Sequence, residues 1–124
     1  MFELSKQFRF DAAHTLDRVI ETDSSRRIHG HSYRAEVFVR GRPDPTTGMV
    51  VDLGLLQRTM EDARDALDHR FLDEINDLGP ATMENLSRWI WNRLTPVIGN
   101  LHKITVYRDS SGEACSYWGE EVAA

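Results

Sequence analysis

The sequence predicts an α+β domain in which two helices pack on a small antiparallel sheet, in the order ββααββ. Three features carry this expectation. Residues 2–14 and 29–40 alternate apolar and polar with the period of a strand, two central segments repeat apolar residues at helical spacing, and alternation returns near the C-terminus. A chain of 124 residues, 40% hydrophobic and 28% charged, is long enough for one core, so residues 1–124 are expected to form a single domain.

The first strand is read from Phe2, Leu4, Lys6, Phe8, Phe10, Ala12 and His14 on one face against Glu3, Ser5, Gln7, Arg9, Asp11 and Ala13 on the other, which puts His14 at the end of the apolar face. Residues 17–27 are polar and follow neither period, so a loop is expected. A second strand follows from about His29 to Arg40, with His29, His31, Tyr33, Ala35, Val37 and Val39 on one face. Gly41 to Gly48 is a cluster of turn formers with prolines at 43 and 45.

Asp52 is the expected N-cap of the first helix, whose inner stripe is Leu53, Leu56, Met60, Ala63 and Leu67 and which ends at Asp68 and His69. Asn76 to Pro80 breaks the chain again. Thr82 or its neighbour then opens a second helix with Leu86, Trp89, Ile90 and Leu94 inward, stopped by Pro96. Lys103 to Arg108 alternates, Ser110-Ser111-Gly112 turns, and Ala114 to Trp118 is the expected last strand. Such a sheet has two open edges, so association through them is expected.

Composition narrows the partners. Fifteen Lys and Arg against twenty Asp and Glu leave a formal charge of −5, which argues against a nucleic-acid-binding surface. Cys115 is the lone cysteine, which excludes an intramolecular disulfide and a cysteine-based zinc knuckle and fits a reducing compartment. No apolar run approaches the roughly 20 residues that span a bilayer. The first residues lack the order of a secretory signal, so a soluble, cytoplasmic protein without a membrane partner is expected.

The most informative triplet is His29-Gly30-His31, because a period of two aims both imidazoles the same way and glycine leaves room beside the backbone. His14 closes the apolar face of the strand expected to pair with this one, bringing a third imidazole into range. Three neutral imidazoles and no carboxylate match an open catalytic zinc site, although iron or copper also accepts such ligands. The competing reading is three ordinary polar residues at strand ends. For Asp68-His69 the alternatives are a histidine capping the helix dipole and an Asp-oriented imidazole acting as general acid or base. His102, in a polar connection, is assigned no role, and Cys115 reads as a small strand residue.

Phe8-x-Phe10-x-Ala12-Ala13-His14, His29-Gly30-His31, Gly48-x-Val50-x-Asp52, Leu67-Asp68-His69, and Thr82-x-Glu84-Asn85-Leu86 followed by Trp89-Ile90-Trp91 together resemble the 6-pyruvoyl-tetrahydropterin synthase family. The similarity spans nearly the whole chain. It is strongest to the short bacterial members, the 6-carboxy-tetrahydropterin synthases of queuosine and deazapurine biosynthesis. The resemblance implies a tunnelling fold, in which ββααββ subunits join their sheets into a trimeric barrel and two trimers stack into a homohexamer with pterin sites at subunit interfaces.

It further implies that His14, His29 and His31 bind zinc and that Asp68 orients His69 as a proton relay. Ser25 falls where the family usually has a catalytic cysteine, a departure that leaves Glu21, Asp23 or His69 to supply a base. Asp109 falls at the glutamate that holds the pterin ring. Thr82 and Glu84 match the motif opening the second helix, where capping explains Thr82 equally well, and Arg27, with Arg26, matches residues suited to a triphosphate. The expected function is zinc-dependent conversion of 7,8-dihydroneopterin triphosphate to a 6-substituted tetrahydropterin with loss of triphosphate. The alternatives are a pterin-binding homologue without synthase activity and aldolase-like cleavage of a dihydropterin side chain.

Overall fold

The computed structural model describes residues 1–119. Strand β1 (Phe2–His14) and strand β2 (His29–Gly41) form a long antiparallel hairpin. A five-residue helix, α1 (Thr22–Arg26), lies within the connection. Helix α2 (Leu53–Leu67) leads into a two-residue strand β3 (Arg70–Phe71), and helix α3 (Met83–Leu94) is followed by β4 (Leu101–Arg108) and β5 (Glu113–Tyr117). The sheet order is β3-β1-β2-β4-β5, antiparallel except for the β1–β3 pair. The chain therefore adopts the α+β class with two main helices on one face of the sheet.

Alternation explains the core. Phe10, Ala12, Tyr33, Ala35, Val37, Val39, Ile104 and Val106 are buried against Leu56, Met60, Ala63 and Leu67 of α2 and Leu86, Ile90 and Leu94 of α3. Asp52 caps α2 by accepting from the amides of Gly54 (2.8 Å) and Leu55 (3.2 Å), and Thr82 caps α3 by accepting from Asn85 N–H (3.1 Å). Leu53, expected on the inner stripe, is 52% exposed and lines a surface groove beside Phe2 and Leu4 at the start of β1.

The connection expected to be a loop carries α1 instead. Periodicity cannot announce so short a helix, which is held by local hydroxyl bonds: Ser24 Oγ donates to Glu21 O (3.0 Å) and Ser25 Oγ to Thr22 O (3.0 Å). Leu16 N–H donates to Ser25 O (2.8 Å) and so fastens α1 beside the end of β1. Strand β3 was likewise too short to expect, and it exists because His69 N–H donates to Asp11 O (2.7 Å) and draws the chain after α2 alongside β1. Among the described residues no helix is long and apolar enough to cross a membrane.

Candidate metal centre

The hairpin register builds the site. His14 lies directly opposite His29, and His31 opposite Ala12, so all three imidazoles leave the same face at one end of the sheet. Their Nε2 atoms converge: His14 to His29 is 2.9 Å and His14 to His31 is 3.0 Å. The rings stand nearly edge to face, with centroids 4.5, 4.8 and 4.9 Å apart.

The other ring nitrogens decide what this convergence means. His14 Nδ1 lies 2.8 Å from Ala81 O and His29 Nδ1 lies 2.8 Å from Arg27 O, and a carbonyl only accepts, so both Nδ1 atoms carry the proton. In the neutral rings both Nε2 atoms are then bare lone pairs pointing at each other, which is repulsive until a cation sits between them. Tetrahedral zinc with bonds of about 2.0–2.1 Å would hold nitrogen ligands about 3.3 Å apart. His14 stands within a few tenths of an ångström of that separation from each of the other two, and all three ligand atoms lie within 4.8 Å of one another, so the residues present fit a divalent cation, with the backbone carbonyls fixing the tautomers of His14 and His29.

Electrostatics favours the neutral, ligating form. Burial pushes His31 down to about 4, with the Arg108 guanidinium and the other two histidines adding to the effect. Burial likewise lowers His14, against an opposing contribution from the Ala81 carbonyl. Next along the same face, Tyr33 stacks on Phe10 and is pushed up to about 12, chiefly by burial.

A cleft of about 620 Å³ opens over the triad and is lined by Ser25, Thr82, Glu84, Arg108 and Glu113 as well as the histidines. Ser25 is buried and its hydroxyl is committed to Thr22 O at 3.0 Å. Thr82 uses its hydroxyl as the α3 cap. Glu21 also lines the cleft, whereas the side chains of Asp23 and Arg27 are exposed and line none of it. Arg26 is paired with Asp17 at 2.8 Å.

The remaining sequence candidates lie elsewhere in the chain. Asp68 Oδ1 accepts from Asp11 N–H (2.9 Å) and its other oxygen meets His69 Nδ1 (2.9 Å) and Arg64 (3.2 Å). The Asp11 amide and then the His69 contact hold the Asp68 carboxyl below its usual range. Asp11, Asp68 and His69 gather on the face of β1 that carries Asp11, opposite to His14, and Asp11 and His69 line a second surface groove that His31 also borders; the His69 side chain is 80% exposed. Asp109 is also away from the triad, gripped bidentately by Arg34 at 3.0 and 3.0 Å and approached by Arg9 at 3.5 Å. Gly30 faces that same outer side, and a Cβ there would make an ordinary 3.6 Å contact with Ala12 O, so its small size is not what admits a cation.

Arg108 and Glu113, with Arg18, are charged cleft residues that sequence reasoning missed. The signal was present: Ile104, Val106 and Arg108 share a face of β4, and the first two are buried opposite Val37 and Ala35. A charged residue ending an inward stripe is the pattern of a side chain placed at a site.

A family model described as 6-pyruvoyl tetrahydropterin synthase matches residues 3–120. The chain is 32% identical to human 6-pyruvoyl tetrahydrobiopterin synthase over 95% of its length and 92% of that protein. It is also 32% identical to a 6-carboxy-5,6,7,8-tetrahydropterin synthase of Synechocystis sp., covering 92% of each. Among solved structures, the 6-pyruvoyl tetrahydropterin synthase of Caenorhabditis elegans superposes with a TM-score of 0.82 at 29% identity, over 96% of both chains.

Proposed function

Because the chain belongs to the 6-pyruvoyl tetrahydropterin synthase family, we propose that it is a zinc-dependent lyase converting 7,8-dihydroneopterin triphosphate to a 6-substituted tetrahydropterin with elimination of triphosphate. The family supports a tetrahydropterin-synthase-like activity. The observation that carries the metal dependence is the pair of Nδ1-protonated imidazoles whose Nε2 lone pairs face each other at 2.9 Å. Bound at His14, His29 and His31, zinc supplies Lewis-acid polarisation of the substrate's side-chain hydroxyls.

The chain's own residues supply the rest. Ala81 O and Arg27 O hold the ring tautomers, and α1 closes the cleft over the triad with buried Ser25 at its wall. A serine hydroxyl is a far weaker acid than a thiol, so the base falls to a carboxylate. Glu21 reaches the cleft and Asp23 does not, which supports Glu21. Thr82 and Glu84 line the cleft at the head of α3, which supports a part in holding substrate, and the exposed Arg27, outside the cleft lining, is the residue proposed to meet the triphosphate.

Asp68, His69 and Asp109 lie apart from this cleft in one chain, so their roles require a site assembled between copies. That arrangement accords with a homohexamer of two trimers whose sheets join through the edges at β3 and β5. Residues 1–124 are read as one cytoplasmic domain of this kind, with 6-carboxy-tetrahydropterin for queuosine synthesis as the product.

The commitment of the Ser25 hydroxyl to Thr22 O favours one other reading, a pterin-binding protein without turnover. Mass spectrometry of the zinc-loaded protein with 7,8-dihydroneopterin triphosphate, with His29→Ala and Glu21→Gln as controls, separates them. A tetrahydropterin product lost in both variants supports the synthase. Saturable pterin binding with no product supports the binder, and a product shortened by side-chain cleavage identifies an aldolase.

A further inference from the structure

Arg108 stands where the cleft meets the imidazoles. Continuing the register of Arg34 with Tyr107 places it beside Tyr33, one step beyond His31 on the inward face. Its Nη2 donates to Glu113 Oε2 at 2.8 Å, and Glu113 is held in turn by the Ser111 hydroxyl on its other oxygen at 2.5 Å. Its Nη1 lies 3.3 Å from His31 Nε2. Its Nε is buried and has no hydrogen-bond partner. A guanidinium does not lose its proton, so a fixed positive charge with an unused donor faces a site built for a cation.

Two consequences follow. Nη1 donates to the same His31 lone pair that a metal needs, so the guanidinium and the cation compete for it. Once the cation has that lone pair, Nη1 loses that acceptor and Nε has none, the Tyr33 hydroxyl being the one neutral group left beside the guanidinium, and two positive groups stand side by side. An anion bridging them relieves both conditions at once.

We propose that Arg108 is the specificity-determining residue of this cleft, selecting ligands that present an oxyanion, a carboxylate foremost, with one oxygen on the cation held by the three histidines and the other on the guanidinium. This deepens the metal-dependent reading and rests on it. A carboxylate suits the geometry because its two oxygens are parallel acceptors, and a neutral oxygen gains less from the unused N–H groups than an anion while a ligand without a free acceptor, such as a bound imidazole, gains nothing.

The test uses cobalt(II) in place of zinc, with its visible absorption band as the reporter and with no pterin present. Acetate is titrated as the anionic probe and imidazole as the neutral one, against the native chain, Arg108→Gln and Arg108→Lys. Arg108→Gln should weaken acetate by about ten- to a hundredfold, the range of a charged hydrogen bond. It should leave imidazole within about twofold and tighten cobalt itself, since the competitor for His31 is gone. Arg108→Lys keeps the charge and should recover part of the acetate affinity. Thermal melts of each variant with EDTA report folding separately.

Equal changes for acetate and imidazole, or no change for acetate, would overturn the assignment while leaving the lyase reading intact. Selective loss of acetate binding without any tetrahydropterin product would uphold the assignment and remove the synthase. If cobalt fails to bind the native chain, both fall.

Discussion

Replacing His14 by alanine should separate the two roles this residue combines. It is 1% exposed, and its Nδ1–H is the donor to Ala81 O, itself on a residue only 2% exposed. Alanine leaves a buried acceptor unpaired, at about 1–3 kcal/mol, and empties the volume of an imidazole ring. Some of this is returned when the facing lone pair of His29 loses its opponent, so the net cost in the metal-free protein is about 2–4 kcal/mol. For 124 residues the unfolding entropy is about 260 cal/mol/K, so each kcal/mol moves Tm by about 4 °C, and His14→Ala should fall by about 8–15 °C. His29 is half-buried and bonds to the carbonyl of an exposed residue, so His29→Ala should cost about 1 kcal/mol or less, about 4 °C at most.

Zinc adds an equal loss to both variants. At a free concentration a hundredfold above Kd it stabilises the native chain by about 2.7 kcal/mol, or about 10 °C, and both variants should lose that gain. Calorimetric melts of EDTA-treated and zinc-loaded protein measure all of this. The reasoning is refuted if His29→Ala melts as low as His14→Ala without metal, or if either variant keeps the full zinc response.

Metal-free stability should fall on acidification. His31 titrates near 4 in the fold against 6.5 when unfolded, so between those values the unfolded chain binds the extra proton and stability drops as pH decreases, with His14 adding in the same direction. Urea midpoints from pH 7.5 downward should show this, and a slope unchanged in His31→Asn would contradict it. Thr82→Ala removes the α3 cap and should cost about 1 kcal/mol, about 4 °C, with Thr82→Ser recovering it. A loss of product in Thr82→Ala without any loss of Tm would make Thr82 a substrate contact instead. Ser25→Cys places a thiol of pKa about 8.5 in the cleft wall and should raise product formation at least about tenfold near pH 8. An unchanged rate would show that the chemistry does not use that position.

Much of this site was legible because strand geometry is legible. Period-two alternation put His14, His29 and His31 on inward faces, and pairing of the two strands was enough to make them meet. Caps were legible for the same reason, since Asp52 and Thr82 act within three residues of themselves. What was not legible depends on the third dimension or on single bonds. No pattern distinguishes a polar loop from α1, which rests on two hydroxyls bonding backward. The adjacency of Asp68 and His69 to the end of α2 was evident, but their side of the sheet is decided by the Asp11 backbone, which donates to Asp68 and accepts from His69 N–H.

Asp109 and Arg108 show how much one residue of offset matters. Neighbours on a strand or at its end face opposite ways, so a carboxylate matched to the pterin position points to Arg34 on the outer face while the preceding arginine enters the cleft. The cleft wall therefore carries a guanidinium paired to Glu113 beside the histidines, and a serine without its own base on the other side. Both features bear on the proposals above, in which the arginine makes an anionic ligand the fourth partner of the cation and a carboxylate such as Glu21 removes the proton in place of Ser25. If Ser25→Cys and Arg108→Gln were combined, a chain whose chemistry is set by these two positions should gain rate from the first change and lose anionic selectivity from the second, independently, because the two act on different atoms of the substrate. Coupled effects in that double variant would mean that Arg108 and Ser25 handle the same atom.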